Sequence, residues 1–447
     1  MKNSPLSLLK NVFDDKDIKT DELSKEKYST DWTNTGSKNP LAVVFPRVES
    51  QIKDLLLYAN ESKIEFLGSG GRTGLSGGCS ALKNEIIISF EKMNKIIDYD
   101  SKNKSIICEP GVILKDIQDL AINNNALYPI DFSSSGSCTI GGNISTNAGG
   151  IKVIKYGNTS NYVDGLDFLT GNGFKVSEIN NLKKNATGPS LSNMLIGSEG
   201  ILGLITKCRM KVVDSKPHSE VAFLSINNLE SSQHILRDIL SNDIEAFEFI
   251  NNSAIEAVFE EYKFDQSITK SKYYLLIEFF NKSFLENLRY FLEKNYVEDV
   301  IISQSIKHKN QLWDYRLRIS ESIADKFLLK FDIAVPVENF INLIFKLEKS
   351  LIFLSKDDLV MFGHIGDGNL HLNIRNFNIY DISIEKVKDI VFKIVLEESG
   401  TISAEHGLGS IKAKDFKKYS NHNNMSLLRD MKTAFDPNNL LNPGKLI

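Results

Sequence analysis

GSGGRTGLSGG, residues 68–78, sets six glycines in eleven positions directly after the short apolar run Phe66-Leu67. Glycine takes positive φ at no steric cost and leaves backbone N–H groups bare, which suits phosphate oxygens. No Gly-Lys-Ser/Thr follows, so this is not a Walker loop, and the chain holds no G-x-G-x-x-G dinucleotide fingerprint. A flexible surface linker rarely sits between a strand and an apolar run such as Glu85 to Phe90. Two further stretches share the texture. SSSGSCTIGGNISTNAGG, residues 133–150, carries no charged residue, whereas a linker would tolerate charge freely. Small uncharged polar residues suit a wall against a large hydrogen-bonding ligand. LIGSEGILGLIT, residues 195–206, again pairs glycines with apolar residues. One extended cofactor touching all three stretches explains them together.

Around these stretches the pattern is regular. Ala42 to Pro46 reads as a strand, Val48 to Asn60 carries helical periodicity through Ile52, Leu55, Leu56 and Ala59, and Phe66-Leu67 is a second strand. A βαβ unit is expected, with a further strand at Val163 to Leu169. Residues 1 to about 36 read as a short helix and a loop. Near Pro217 the texture changes, which predicts a domain boundary. Beyond it, strand-like runs (Ala222 to Ile226, Tyr273 to Phe280, Leu329 to Val335) alternate with amphipathic helices (Ser231 to Leu240, Phe284 to Lys294), as in an antiparallel sheet backed by helices.

That second region contains MFGHIGDGNLHLN, residues 361–373, and it reads as a β-hairpin turning on Gly366-Asp367-Gly368. His364 ends the first strand. Period-2 alternation puts His371 and Asn373 on one face of the second and Leu370, Leu372 and Ile374 on the other. The chain has seven histidines, and two of them fall in this hairpin; a third, His406, follows Glu405 in SAEHGLG, residues 403–409. Two histidines and a glutamate are a recurring ligand set for a divalent metal with open coordination positions. His/His/Glu suits zinc, manganese or iron. Asn373 stands where it can orient a ligand or a substrate.

Composition bounds the rest. The chain has 447 residues, 42% hydrophobic and 25% charged, enough for two or three domains and a sizeable core. A net charge of -4 argues against a general nucleic-acid binder. The four cysteines, Cys79, Cys108, Cys138 and Cys208, form no C-x-x-C pair and read as small buried residues of a reducing compartment. No run of 18 apolar residues predicts a bilayer span. The expected location is cytoplasmic, with room for peripheral membrane contact.

In order, GGRTGLSGG (70–78), CEPGV (108–112), GSCTIGGNISTNAGG (136–150), IGSEGILGLIT (196–206), GHIGDGNLHLN (363–373), SAEHGLG (403–409) and FDPNNLLNPGK (435–445) resemble one family. It is the FAD-dependent D-2-hydroxyacid dehydrogenases, which include D-lactate dehydrogenases, the glycolate oxidase flavin subunit and D-2-hydroxyglutarate dehydrogenase, among the vanillyl-alcohol-oxidase-type flavoproteins. The resemblance implies an α+β protein: an N-terminal segment (1–37), a two-lobed FAD-binding domain (38–216), a substrate or cap domain with an antiparallel sheet (217–395), and a C-terminal segment (396–447) that returns to the flavin.

It also implies roles. FAD would lie along Gly70, Gly71, Arg72, Thr73, Gly74, Leu75, Gly77 and Gly78, along Pro110 and Gly111, and along Gly136, Ser137, Thr139, Ile140, Gly141, Gly142, Asn143, Ser145, Thr146, Asn147, Ala148, Gly149 and Gly150. It would continue along Glu199, Gly200, Ile201 and Ile205, with Asn442 from the tail beside the flavin. Position 72 is Arg where many relatives carry Gly or Asn. His364, His371 and Glu405 would hold a divalent metal, commonly zinc, and His406 would be the catalytic base. Arg316, Ser320 and Lys330 would bind substrate carboxylates; Ser320 replaces a threonine and keeps the hydroxyl. The implied reaction oxidises a D-2-hydroxy acid, D-2-hydroxyglutarate or D-lactate, to the 2-oxo acid. The electron acceptor stays open among a quinone, an electron-transfer flavoprotein, a cytochrome and a partner subunit. The rival readings are a flavin subunit of a glycolate-oxidase-type complex and a same-fold NADPH-dependent flavin reductase, which would need no His/His/Glu set.

Overall fold

The computed structural model describes residues 5–447 except 38, 183, 217, 240–243, 265–267, 281–283, 325 and 327. The chain forms two compact units. Residues 1–149, 158–215 and 405–447 make the first, and residues 150–157 and 216–404 make the second. The boundary expected at Pro217, and Leu240 at the end of an expected helix, lie outside the described residues.

The first unit contains a four-stranded sheet in the order Ile18–Lys19, Ala42–Val44, Ile86–Ser89, Phe66–Ser69. The helix Glu49–Ser62 follows the second of these in sequence and buries Ile52, Leu55, Leu56 and Ala59 at helical spacing. The isoleucine and each leucine contribute about 1.5–3 kcal/mol on burial, and the alanine methyl less. Lys63 closes the helix in the left-handed conformation, φ 54°. The strands on either side of the helix do not pair with each other. Ile86–Ser89 lies between them, parallel to both, so the βαβ pattern is opened by a strand that arrives only after the glycine loop. The N-terminal residues are more structured than a helix and a loop. Two helices, Pro5–Val12 and Glu22–Tyr28, flank Ile18–Lys19, which pairs antiparallel with Ala42–Val44.

A five-stranded antiparallel sheet completes this unit, in the order Ile96–Asp100, Ser105–Cys108, Gly203–Lys211, Val163–Thr170, Lys175–Ser177. The tail binds the open edge of the first sheet: the Phe66 N–H donates to the Leu440 carbonyl at 2.7 Å, and the Asn442 N–H donates to the Phe66 carbonyl at 2.8 Å. Cys108, Cys138 and Cys208 are buried, as small core residues should be, but Cys79 is only half-buried.

The second unit is built on a seven-stranded antiparallel sheet, in the order Asp299–Ile302, Glu220–Ile226, Tyr273–Phe279, Ile244–Asn251, Leu359–Gly363, Asn369–Arg375, Leu328–Ala334. Alternation sorts its side chains. On one face Phe223, Tyr274, Leu276, Ile250, Val360 and Phe362 pack against the helices Asn252–Glu261 and Ile306–Leu317. On the other, Phe249 meets Tyr273 and Phe340, the latter from the helix Phe340–Ser350. Among the described residues no helix is long and apolar enough to cross a membrane.

Candidate active site

In the first unit the three glycine-rich stretches and the tail meet around one cavity. Its walls come from the loop after Phe66–Ser69 (Gly70, Gly78), from Pro110, from Thr139 and the helix Ile140–Thr146 (Gly141, Gly142, Ser145, Thr146), from Glu199, Gly200 and Ile205, and from Asn442. The side chain of Thr139 caps that short helix by accepting from the Gly142 N–H. A Cβ at Gly71 would collide with the Ser137 carbonyl, and one at Gly200, φ 77°, would lie 2.6 Å from Asn442 Nδ2. Glycine is therefore what lets the first stretch touch the second and the third touch the tail.

The cavity wall also contains Gly68, Ser69, Gly203 and Leu204, which lie inside the quoted stretches but were given no individual role, and Cys79 and Phe90, which lie outside them. All but Cys79 are at or beside strand ends next to the glycines, where an alternating strand gives no sign of which face will line a cavity. The buried Ser69 hydroxyl has no protein partner among the described residues. An orphaned hydroxyl in an almost uncharged wall of glycines fits a large ligand rich in hydrogen-bonding groups, which is what FAD is.

Other expected cofactor residues stand off this cavity. Arg72 has its backbone in the left-handed region, φ 57°, which glycine or asparagine adopts more readily, and its guanidinium stacks 4.3 Å from the Tyr28 ring centroid. Thr73, Gly74, Leu75 and Gly77 continue the same loop. Gly136 and Ser137 are exposed, and Ile140 and Asn143 point into the protein from the helix. Gly111 packs on the Phe90 carbonyl. Asn147, Ala148 and Gly149 follow the helix, Gly150 opens the segment that belongs to the second unit, and the Ile201 carbonyl accepts from Lys432 Nζ.

Glu199 has a second function in the first unit. Its carboxylate accepts the Leu408 and Gly409 N–H groups, each at 2.7 Å, and so ties down the loop that carries Glu405 and His406. Burial pushes the Glu199 carboxyl above the usual carboxylate range despite those two donors. His406 Nε2 lies 3.6 Å from a Glu405 oxygen. The tail also holds this loop, the Leu446 N–H donating to the Gly409 carbonyl at 2.9 Å, while the buried Lys445 ammonium fastens the first glycine-rich stretch by donating to the Gly77 carbonyl at 2.8 Å and to that of Ser80.

In the second unit the expected hairpin is formed by Leu359–Gly363 and Asn369–Arg375, with His364 as the first residue of the turn rather than the last of the strand. Phe362 sits opposite His371. On the other side, Asp332 and Lys330 sit opposite His371 and Asn373. Lys330, Asp332, His371 and Asn373 therefore share one face, the face that carries Phe362. The rings of His364 and His371 are 5.5 Å apart between centroids, edge to face. Protein packed round the Lys330 ammonium lowers its pKa by desolvation, although its surface stays open.

Arg316, on the helix Ile306–Leu317, is buried with its guanidinium 4.6 Å from the Phe362 ring centroid. Its Nε donates to Glu248 at 2.6 Å, and the other Glu248 oxygen lies 2.6 Å from His364 Nδ1. Burial would raise the Glu248 carboxyl, but the His364 ring and the Arg316 guanidinium beside it outweigh that and hold the pKa below the usual range. Ser320 is exposed, one turn further along the chain. Glu248 and Asp332 were not picked out from sequence. The signal for Glu248 was present: with Glu245 it is one of two carboxylates in the buried strand Ile244–Asn251, and a buried carboxylate needs a partner.

The family model for the C-terminal domain of FAD linked oxidases matches residues 215–446, and an FAD binding domain model matches residues 40–177. The chain belongs to the FAD-linked oxidases. It is an FAD-dependent oxidoreductase, and the FAD binding domain model falls on its first unit apart from residues 150–157. Among the relatives of this FAD-linked oxidase are the D-2-hydroxyglutarate dehydrogenases of Xanthomonas citri pv. viticola, 34% identical over 96% of this chain and 94% of that one, and of Stutzerimonas stutzeri, 35% identical over 98% and 97%. Among solved structures, 4-ethylphenol oxidase from Gulosibacter chungangensis superposes with a TM-score of 0.74 at 16% identity, over 99% of this chain and 96% of that one, a likeness of vanillyl-alcohol-oxidase-type fold alone.

Proposed function

We propose that this FAD-linked oxidase oxidises a D-2-hydroxy acid to the 2-oxo acid, with D-2-hydroxyglutarate preferred to D-lactate. The observation that carries the substrate class is a pair of cations, Arg316 and Lys330, on the sheet face that also bears His371 and Asn373. A dicarboxylate needs a cation for each end that no other group holds. Arg316 can grip a carboxylate with its two Nη groups while Nε stays on Glu248. Lys330 adds a point charge, Ser320 a hydroxyl, and Asn373 an amide that orients the acid. The names of the full-length relatives support the same class.

FAD, when bound in the first unit's cradle, supplies the acceptor for the hydride of the carbinol carbon. A divalent metal, zinc foremost, with manganese or iron as alternatives, would be held by His364, His371 and Glu405 and would acidify the substrate hydroxyl. The donor set fits such an ion: Nδ1 of His364 is already engaged by Glu248, so the imidazole would present Nε2. His406 takes the hydroxyl proton; general-base help of this kind is worth about 10²–10⁴-fold. The electrons then leave for a separate acceptor, which we take to be a quinone, an electron-transfer flavoprotein, a cytochrome or a partner subunit.

Steady-state assays with an artificial electron acceptor test the reading. D-2-hydroxyglutarate, D-lactate and their L-forms are compared before and after dialysis against a chelator, with zinc, manganese or iron added back. The expected result is turnover of D-acids only, kcat/KM highest for D-2-hydroxyglutarate, lost on chelation and restored by one of the metals. Equal turnover of D- and L-acids, or activity indifferent to chelation, contradicts it.

A further inference from the structure

Glu248 belongs to none of the roles above, yet it touches two of them. It is fully buried on the strand Ile244–Asn251. One oxygen accepts from Arg316 Nε at 2.6 Å and the other lies 2.6 Å from His364 Nδ1. An ionised carboxylate only accepts hydrogen bonds, so the short contact to His364 requires Nδ1 to carry the proton. The imidazole lone pair is then on Nε2, the tautomer a metal needs. The guanidinium is oriented by the same group: with Nε fixed and its plane against Phe362, its two Nη groups are fixed in direction too.

The arginine arrives at this carboxylate along a helix that is independently anchored. On Ile306–Leu317, Lys309 and Trp313 both reach Glu278 of the neighbouring strand, at 2.5 and 2.9 Å, and Arg316 comes next on the same helix face. Glu278 therefore holds the helix, and Glu248 is left to set the guanidinium.

We infer that Glu248 is a positioning residue which fixes the His364 tautomer and the Arg316 guanidinium at once, so that metal retention and recognition of the second carboxylate depend on one side chain. The inference rests on the reading of His364 as a metal ligand and Arg316 as a carboxylate receptor. A carboxylate is the group that can serve both, because both neighbours are donors. An amide of the same shape cannot. In Glu248→Gln the carbonyl faces one donor and the NH₂ group faces the other. The ionic acceptor bond to the guanidinium is the stronger, so the carbonyl goes to Arg316. The NH₂ group then faces His364 Nδ1 and drives the proton to Nε2.

The two substitutions must therefore diverge. Glu248→Gln loses metal affinity by about 10–100-fold, the range for a group that orients a metal-bound histidine, while its KM ratio between D-2-hydroxyglutarate and D-lactate stays near that of the wild type. Glu248→Ala loses the metal by a similar factor and also raises the KM for D-2-hydroxyglutarate about tenfold more than that for D-lactate. Glu278→Gln, which loosens the helix anchor without touching His364, is the structural control. The readouts are metal content by elemental analysis after dialysis, melting temperature, and KM for both acids in zinc-supplemented buffer.

The inference is overturned if metal content and both KM values change only in step with melting temperature, which is the pattern expected of Glu278→Gln. It is also overturned if either Glu248 variant keeps its metal. Should Glu248→Ala fail to fold, Glu248→Asp takes its place: one methylene shorter, its carboxylate cannot span both donors, and a full complement of metal with an unchanged KM ratio would sink the idea. The functional reading fails separately. A wild-type protein that holds no metal and oxidises neither acid removes both the reading and the inference. A metal-bearing, active wild type with unaffected Glu248 variants removes the inference alone.

Discussion

Asn442 Nδ2 donates to the Glu199 carbonyl at 2.7 Å, across 243 positions of sequence. The same side chain accepts the Gly68 N–H on Oδ1 at 2.9 Å. One amide near the C-terminus thus joins the first and third glycine-rich stretches at the wall of the FAD cradle, with its own backbone in the left-handed region at φ 45°. Asn442→Ala leaves a buried donor and a buried acceptor unpaired, at a cost of about 1–3 kcal/mol. The expected outcome is a lower melting temperature and faster loss of FAD on gel filtration, followed by the flavin-to-protein absorbance ratio. An unchanged ratio would mean that the tail closes the cradle by backbone pairing alone.

Gly71→Ala tests the contact between the first and second stretches. Its Cβ would meet the Ser137 carbonyl and the Cys138 backbone, neither of which is the end of a flexible side chain. The loop must move, so we expect FAD affinity to fall by at least about tenfold, read by fluorescence quenching of the flavin, with the far-UV spectrum unchanged. Wild-type affinity in this variant would show that the cradle tolerates displacement of its first wall.

The tail is held by a buried ion pair. Lys432 Nζ lies 2.5 Å from an Asp436 oxygen and also donates to the Ile201 and Leu441 carbonyls. Removing one partner of a buried pair strands the other charge, typically costing about 3–5 kcal/mol. Lys432→Met should therefore destabilise far more than the double change Lys432→Met/Asp436→Asn in urea unfolding. Equal losses would mean that the two side chains are not coupled.

Acid stability has a named contributor. Arg47 grips Asp17 through Nε at 2.7 Å and Nη2 at 2.9 Å, and this hydrogen bonding lowers the Asp17 pKa. A carboxyl with a depressed folded pKa adds stability that is fully present above the unfolded value of about 3.9 and is lost as pH falls through the folded one. Arg47→Ala should lower the melting temperature at neutral pH and flatten its fall below about pH 4. Parallel curves for wild type and variant would exclude Asp17 from acid unfolding.

How much of this was legible in sequence follows from which interactions are local. The helix Glu49–Ser62 and the hairpin of residues 359–375 were readable because their burial patterns repeat within a few residues. The same alternation put His371 and Asn373 on one face. What escaped depended on strands distant in sequence. Nothing near Ile86–Ser89 says that it will separate two strands that a helix connects. Asp332 joins His371 only through the register of Leu328–Ala334. Glu248 is separated from His364 by 116 positions, and its oddity as a carboxylate in a buried strand, shared with Glu245, becomes a role only once the sheet order is known. The glycine stretches declared a cradle but not all of its walls, because Phe90 and Cys79, outside those stretches, look like ordinary core residues until the cavity is seen.

The central claim is hydride transfer from a D-2-hydroxy acid to FAD, and an anaerobic absorbance titration tests it most directly. The purified protein is followed at the flavin band while D-2-hydroxyglutarate, its L-form and D-lactate are added in turn, without any electron acceptor. The account predicts bleaching by D-2-hydroxyglutarate at one equivalent per flavin, weaker reduction by D-lactate, none by the L-acid, and no bleaching in His406→Ala that still binds FAD. A flavin that stays oxidised with every D-2-hydroxy acid, or that the L-acid bleaches equally well, would contradict it.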